Sequence, residues 1–241
     1  MVVKSELKLI KSLQQKKYRN EHGLFVIEGK KAVEELLESK CRPFKILVSG
    51  GSKLNVAYAD ILEISVKELK QLSGLKNPNG VLGVFYMMAQ QPIDFSDWIL
   101  MLDGVQDPGN LGTIIRLCDW FGIKNLVCSP HTVDCYNPKV LQATMGSITR
   151  VNITYTDLEV FLKNNTLSVY GAFMDGTSVY TSGFPNKGIL VMGNEGNGIS
   201  PLVKEFCNQS IAIPQYGTLT TESLNVGTAT AILLNEIRRS Q

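Results

Sequence analysis

No apolar run in this chain approaches the length of a membrane span. Stretches such as Val84 to Ala89 and Trp98 to Leu102 fall far short of the roughly 18 residues that cross a bilayer. The start of the chain, Lys4-Ser5-Glu6-Leu7-Lys8, has no apolar signal-peptide core, so a cytoplasmic protein is expected. Cysteine is sparse: Cys41, Cys118, Cys128, Cys135 and Cys207 are scattered, odd in number and free of any C-x-x-C pair. That argues against a disulfide scaffold and a zinc ribbon, and reduced thiols with no bound metal are expected. Repeats and low-complexity segments are also missing, which sets aside solenoids and disordered tails. What remains is a composition of 44% hydrophobic and 19% charged residues over 241 positions, enough for one large globular domain or two small ones.

The formal net charge of +2 conceals an asymmetry. Residues 1–88 carry 15 Lys plus Arg against 9 Asp plus Glu, or +6, while residues 89–241 sum to −4. The excess gathers in Lys4, Lys8, Lys11, Lys16, Lys17, Arg19, Lys30 and Lys31, a density that suits a phosphate backbone but, taken alone, fits a solvated helix face better. Aromatic stacking partners are few there, with only Tyr18 and Phe25 nearby.

Periodicity alternates between 3.6 and 2 along the whole chain. The first part reads as a helix from Ser5 to Arg19, a strand at Phe25-Val26-Ile27, a helix over Gly29 to Ser39 and a strand at Lys45 to Ser49. A capping box at Ser65-Val66-Lys67-Glu68 opens a further helix, and the turn Asn77-Pro78-Asn79-Gly80 leads into the strand Val81 to Tyr86. The polar, aperiodic stretch Gln90 to Asp97 reads as a linker. Beyond it come strand Trp98 to Leu102, helix Asn110 to Phe121 and strand Lys124 to Cys128. Helix starts are expected at Asn137-Pro138 and at a capping box in Thr156 to Glu159. The short apolar runs Leu167 to Phe173, Gly188 to Met192 and Ser210 to Ile213 look like buried parallel strands. A last helix runs from Leu224 to about Arg238. The pattern predicts an α/β fold with a largely parallel sheet, divided into a small α/β domain at 1–88 and a second domain at 98–241.

Three segments carry chemistry. In Asp107-Pro108-Gly109-Asn110-Leu111-Gly112-Thr113-Ile114-Ile115-Arg116 a strand leaves through a Gly-rich turn into a helix. There Leu111, Ile114, Ile115 and Cys118 cluster, and Arg116 lies about 140° from Leu111. Arg116 is then either a surface arginine or a cation held at the strand ends, where open α/β sheets bind ligands. Asn110 is either a helix cap or a side chain facing the same crevice. In Val191-Met192-Gly193-Asn194-Glu195-Gly196-Asn197-Gly198-Ile199-Ser200-Pro201 a second Gly-rich turn follows a strand, holding the lone carboxylate Glu195. It matches neither the dinucleotide fingerprint nor a P-loop, and as a bare pattern it reads first as a tight structural turn. The third, Ile213-Pro214-Gln215-Tyr216-Gly217 followed by Glu222-Ser223-Leu224-Asn225-Val226-Gly227-Thr228-Ala229, enters a closely packed terminal helix for which Ser223 can be the cap.

In this order the three segments resemble the motifs of the SpoU (TrmH-type) RNA 2′-O-ribose methyltransferases of the SPOUT superfamily, with further similar text at Gln142-Ala143-Thr144-Met145-Gly146. Lys17-Tyr18-Arg19, Phe25-Val26-Ile27-Glu28-Gly29 and Lys76-Asn77-Pro78-Asn79-Gly80-Val81 resemble the small substrate-binding domain of many members. The resemblance implies a C-terminal parallel-sheet domain closed into a trefoil knot, an exception to the rule that chains do not knot, preceded by a small RNA-binding domain. It implies S-adenosylmethionine as cofactor, contacted by Met192, Gly193, Ile213, Pro214 and Leu224. It also implies a homodimer acting on structured RNA, ribosomal ahead of transfer RNA.

For catalysis the resemblance points to Arg116 with Asn110, Glu195, Ser223 and Asn225. Arginine is a poor base, with a pKa above about 12, so Arg116 is expected to stabilise developing alkoxide and grip a phosphate. Glu195 is expected to orient it and Asn110 to hold the hydroxyl. Two departures from the family pattern stand out: a segment between Pro214 and Ser223 longer by about two residues, and Gly227 where serine is common. A non-catalytic RNA-binding module is the competing reading, and a nicotinamide or nucleotide enzyme a third. Joint retention of Asn110, Arg116, Glu195 and Asn225 argues for activity, and the missing fingerprint argues against the third reading.

Overall fold

The computed structural model describes residues 4–39, 41–56, 58, 60–217 and 223–240. The chain divides into two units. Unit 1 comprises residues 1–89 and 134–149, and unit 2 comprises 90–133 and 150–241.

Unit 1 begins with α1 (Lys4–Ser12) and α2 (Lys16–His22), where the helical pattern predicts one continuous helix. The break follows from Arg19, which is almost wholly buried. Its guanidinium donates to the carbonyls of Leu13 at 3.0 Å and Gln14 at 2.9 Å and pairs with Asp134. Carbonyls released where the chain turns are thereby satisfied. Arg19 is thus a structural arginine and drops out of the expected phosphate-binding set. Lys4, Lys8, Lys11, Lys16, Lys17 and Lys31 are exposed.

After α2 come β1 (Leu24–Glu28), α3 (Lys30–Glu38), β2 (Pro43–Val48), β3 (Ile61–Glu63), α4 (Val66–Leu72) and β4 (Val81–Tyr86). The sheet order is β1-β4-β2-β3, antiparallel except for the β2–β3 pair. The short strand β3 carries too little alternation to be visible in the pattern. Ser65 and Glu68 form the expected capping box. Ile10, Leu13, Leu24, Val26, Leu47, Leu69 and Leu82 pack the core between the helices and the sheet.

Unit 2 follows with β5 (Ile99–Leu102), α5 (Pro108–Trp120) and β6 (Asn125–Cys128). The chain then returns to unit 1 as α6 (Pro138–Thr144), capped by Asn137 with Pro138 in its first turn. It packs on β1, and Gln142 Nε2 donates to the Glu28 carbonyl at 2.8 Å. Gly146 closes the segment, where an added Cβ would lie 2.0 Å from the Glu35 carboxylate. This excursion separates the structural division from the sequence boundary at 88/98, because contacts across more than a hundred residues leave no periodic trace.

The remainder of unit 2 is β7 (Asn152–Tyr155), α7 (Leu158–Lys163), β8 (Val169–Ser178), β9 (Ile189–Met192), α8 (Pro201–Lys204), β10 (Gln209–Ala212) and α9 (Val226–Arg239). The six strands run in the order β10-β8-β9-β5-β6-β7, every neighbouring pair parallel. All four residues of β5, β6 and β9 are buried, as expected of a sheet covered on both faces. Three caps fall elsewhere than the sequence pattern places them. Asp107 rather than Asn110 caps α5, Asp157 rather than Thr156 caps α7, and Asn225 rather than Ser223 caps α9. In each case an Asp or Asn lies within reach of the free N–H groups. Residues 218–222, most of the longer segment after Pro214, lie outside the described ones.

Candidate active site

Strands β5 and β9 are hydrogen-bonded neighbours, with Leu102 level with Met192, so their following loops leave the sheet side by side. From β5 the chain builds outward to β6 and β7, while β9, β8 and β10 occupy the other side. The crevice beyond β5 and β9 is therefore the switch point at which open α/β sheets bind ligands.

The loop after β9 closes on itself. Asn194 and Gly198 exchange two backbone hydrogen bonds of 2.9 Å. Asn194 Oδ1 accepts from the N–H groups of Gly196 and Asn197, both at 3.0 Å, and its Nδ2 donates to the Gly104 carbonyl at 2.7 Å. Gly193 is required here, because an added Cβ would lie 2.2 Å from the Gly198 carbonyl carbon. The closed turn aims Glu195 at the neighbouring loop. Its Oε1 accepts from Asn110 Nδ2 at 3.0 Å and from the Asp107 N–H at 3.1 Å, and its Oε2 from the Gln106 N–H at 3.2 Å.

The network continues to α9. Asn225 Nδ2 donates to Asn110 Oδ1 at 2.8 Å, while Asn225 Oδ1 accepts from the N–H groups of Gly227 at 2.9 Å and Thr228 at 3.2 Å. Both amide orientations follow from the ends of this chain, since a backbone N–H only donates and an ionised carboxylate only accepts. Asn110 is thereby held with one amide hydrogen and one carbonyl lone pair still available to a ligand hydroxyl. Partial burial pulls the Glu195 carboxyl upward, but the bonds from Asn110 and the backbone N–H groups outweigh it and hold its pKa below the usual range. An ionised carboxylate so engaged is a poor proton acceptor near neutral pH; its role is to orient Asn110.

The structure thus joins Asn110, Glu195 and Asn225 directly. The expected pairing of Glu195 with Arg116 is replaced by the pairing with Asn110. Arg116 is exposed, two turns along α5. Ser223 is exposed and, among the described residues, outside the network. Of the residues expected to meet the cofactor, Met192 is buried, Ile213 and Pro214 are half-buried and Leu224 is 47% exposed. Sequence reasoning misses Asn194, Asp107 and Asp103, whose Oδ2 accepts from the Ser200 N–H at 2.7 Å. The signal for Asn194 is present, since Asn followed by glycines two and four positions on is a residue that bonds its own turn.

A crevice with such a polar network at the ends of a parallel sheet is the layout of an α/β enzyme. Its kind follows from the comparisons: the SpoU rRNA Methylase family matches residues 97–235 and an MRM3-like substrate binding domain matches residues 4–83, so the chain belongs to the SpoU family. It is 30% identical over 235 residues to the 23S rRNA (guanosine(2553)-2′-O)-methyltransferase of Bacillus subtilis, covering 95% of this chain and 94% of that protein. A TrmH-family protein from Porphyromonas gingivalis superposes over 100% of both chains with a TM-score of 0.89 and 37% identity. The AdoMet-bound rRNA methyltransferase from Sinorhizobium meliloti does so over 99% of this chain and 96% of that one, with a TM-score of 0.85 and 28% identity.

Proposed function

We propose that the protein transfers a methyl group from S-adenosylmethionine to a ribose 2′-hydroxyl of structured RNA, with 23S ribosomal RNA ahead of transfer RNA, in the cytoplasm. The observation that carries this reading is the Asn110–Glu195–Asn225 network at the ends of β5 and β9 in a SpoU-family chain. The donor set fits the cofactor: Met192, Gly193, Ile213, Pro214 and Leu224 offer aliphatic surface and backbone, which an adenosyl group needs more than charge. When bound, S-adenosylmethionine supplies an electrophilic methyl carbon on a sulfonium. Asn110 positions the attacking hydroxyl, its amide locked from both sides. Arg116, an exposed and permanently charged guanidinium, grips the neighbouring phosphate and stabilises negative charge as it develops on the ribose oxygen. Ser223, exposed two residues before the cap of α9, is the further polar group of this reading.

The reading extends to three further features. The C-terminal domain, residues 98–241, is a trefoil-knotted fold, supported by family membership. The basic N-terminal domain, residues 1–88, holds the RNA, supported by its match to a substrate binding domain and its exposed lysines. The protein is a homodimer, supported by Trp120, 83% exposed at the end of an α5 that already packs on α9.

The test uses the full chain with S-adenosylmethionine and unmodified 23S rRNA, mapping 2′-O-methyl sites and following the melting temperature. A cofactor-dependent methyl group on a ribose and a rise in melting temperature are expected, since a ligand of the native state alone shifts unfolding. RNA binding with neither would favour the non-catalytic module.

A further inference from the structure

We propose that unit 1 carries a pocket for one RNA base, a guanine held by its donor edge on Glu28, distinct from the ribose that receives the methyl group. The proposal rests on the RNA-methyltransferase reading and names a base contact within it.

Strand β1 is buried throughout and ends in Glu28, only 6% exposed. A carboxylate so enclosed is costly unless hydrogen-bonded. Two donors reach it: Ser73 Oγ on Oε2, and the Gly74 N–H on Oε1 at 2.7 Å. An ionised carboxylate has about four lone-pair sites, so each oxygen keeps capacity for a further donor. Glu28 also lines a cavity of about 240 Å³. That lies below the roughly 300–1,000 Å³ of sites for drug-sized ligands and well above the ~30 Å³ share of one water. A single flat heterocycle suits it.

The lining sorts by chemistry. Val26, Leu75 and Pro138 supply apolar wall for the faces of a ring. Gln142 spends its Nε2 on the Glu28 carbonyl, which leaves its Oε1 as an acceptor. Lys139 is exposed at the edge, placed to meet a phosphate. The occupant is therefore flat, anionic outside its ring, and equipped with adjacent N–H donors for a carboxylate. Guanine offers N1–H and N2–H side by side. Adenine and cytosine place a ring-nitrogen acceptor beside their one amino donor, and uracil flanks its single N–H with two carbonyl oxygens, so each turns a lone pair toward the carboxylate. Sequence-specific RNA recognition draws on such splayed-out bases, read on their Watson–Crick edges. Glu28, Asn137 and Lys139 come together here only because α6 packs on β1, which gives the excursion of residues 134–149 a function beyond packing.

The test uses the full chain loaded with S-adenosylmethionine and methyl-labelled at valine and leucine. Titration with GMP is expected to shift the Val26 and Leu75 resonances, with AMP, CMP and UMP binding at least about tenfold more weakly, the scale of one bidentate base contact. Glu28→Gln is expected to abolish the preference. Because Glu28 also ties the Ser73–Gly74 turn, Leu75→Trp serves as a second variant that fills the cavity and leaves the carboxylate bonds intact. It is expected to block the GMP shift and to raise KM for 23S rRNA about tenfold, with kcat and the cofactor-induced melting shift unchanged. Equal affinity for the four nucleotides, no shift at Val26 and Leu75, or an unaltered KM in both variants would overturn the proposal. Selective GMP binding by a protein that methylates no RNA would uphold the pocket and refute the methyltransferase reading.

Discussion

Arg19 in unit 1 and Arg116 in unit 2 read alike in the sequence, each a cation on a helix available to phosphate. Unit 1 folds its arginine inward, where two backbone carbonyls and Asp134 take up the guanidinium. Unit 2 leaves Arg116 exposed on α5, the helix whose first turn carries Asn110 of the network with Glu195 and Asn225. The carboxylates differ in another way, since Glu28 is tied to the turn after α4 and still lines a cavity, while Glu195 bonds across to the loop after β5. Availability to a ligand is decided by what the surrounding backbone needs. A basic stretch therefore offers fewer exposed cations than its count suggests, and an acidic unit can still present one.

The largest expected effect separates the two arginines. Arg116→Ala is expected to reduce turnover by about a hundredfold or more, with melting temperature and cofactor affinity nearly unchanged, as for a lost transition-state contact. Arg19→Ala is expected to cost about 3–5 kcal/mol of stability, the range for one partner removed from a buried ion pair, while folded molecules keep their turnover. Denaturant unfolding alongside single-turnover kinetics checks both. A stable Arg19→Ala protein, or an Arg116→Ala protein that melts early, would dissolve the contrast.

A smaller effect attaches to Glu195. Its carboxyl titrates below the usual range in the folded chain, so its stabilising contribution is present above the unfolded pKa of about 4.3 and is lost as pH falls through the lower folded value. Glu195→Gln is expected to melt below the parent protein at pH 7, and the two melting curves are expected to converge as the medium becomes more acidic than pH 4. Methylation at pH 7 is expected to fall about tenfold, since a glutamine that accepts from Asn110 turns its own NH2 against the Gln106 N–H, and the Asn110 amide is held less firmly. A melting difference independent of pH would assign Glu195 a purely steric role.

Much of the fold and part of the site are legible in the sequence. The alternation of patterns predicts the α/β class, the strand Val81 to Tyr86 falls where the pattern puts it, and the apolar runs Gly188 to Met192 and Ser210 to Ile213 emerge as parallel strands. The Gly-rich turns point to Asn110 and Glu195. What escapes has physical causes. The burial of Arg19 at the break between α1 and α2 is matched by Asp134, more than a hundred residues away. The packing of α6 on β1 depends on tertiary contacts of the same kind. It also means that deleting residues 1–88 would strip cover from Val140, Leu141 and Thr144, all buried, so such a truncation is not a clean test of the basic domain. The choice of Asn225 over Ser223 as a cap is a contest between two good capping residues two positions apart, which local preference does not decide.

The smallest expected effect compares two caps. Ser65 caps α4 in unit 1 through a capping box with Glu68, and Asn225 caps α9 in unit 2 through bonds to the N–H groups of Gly227 and Thr228. Replacing either by alanine removes a side-chain acceptor at a helix start, which costs about 1 kcal/mol. Ser65→Ala and Asn225→Ala are therefore expected to lose similar stability. Only Asn225 spends its other amide group on Asn110 Oδ1, and without that bond the Asn110 amide is fixed from the Glu195 side alone. Asn225→Ala is accordingly expected to lose turnover as well, severalfold, with KM for RNA little changed, and Asn225→Asp is expected to restore the cap but not the rate, because a carboxylate cannot donate to Asn110. Chemical denaturation and initial-rate measurements on the three variants check this. Equal rates in Ser65→Ala and Asn225→Ala, at matched stability, would mean that the helix start alone matters and that the network in unit 2 holds the fold without holding the substrate.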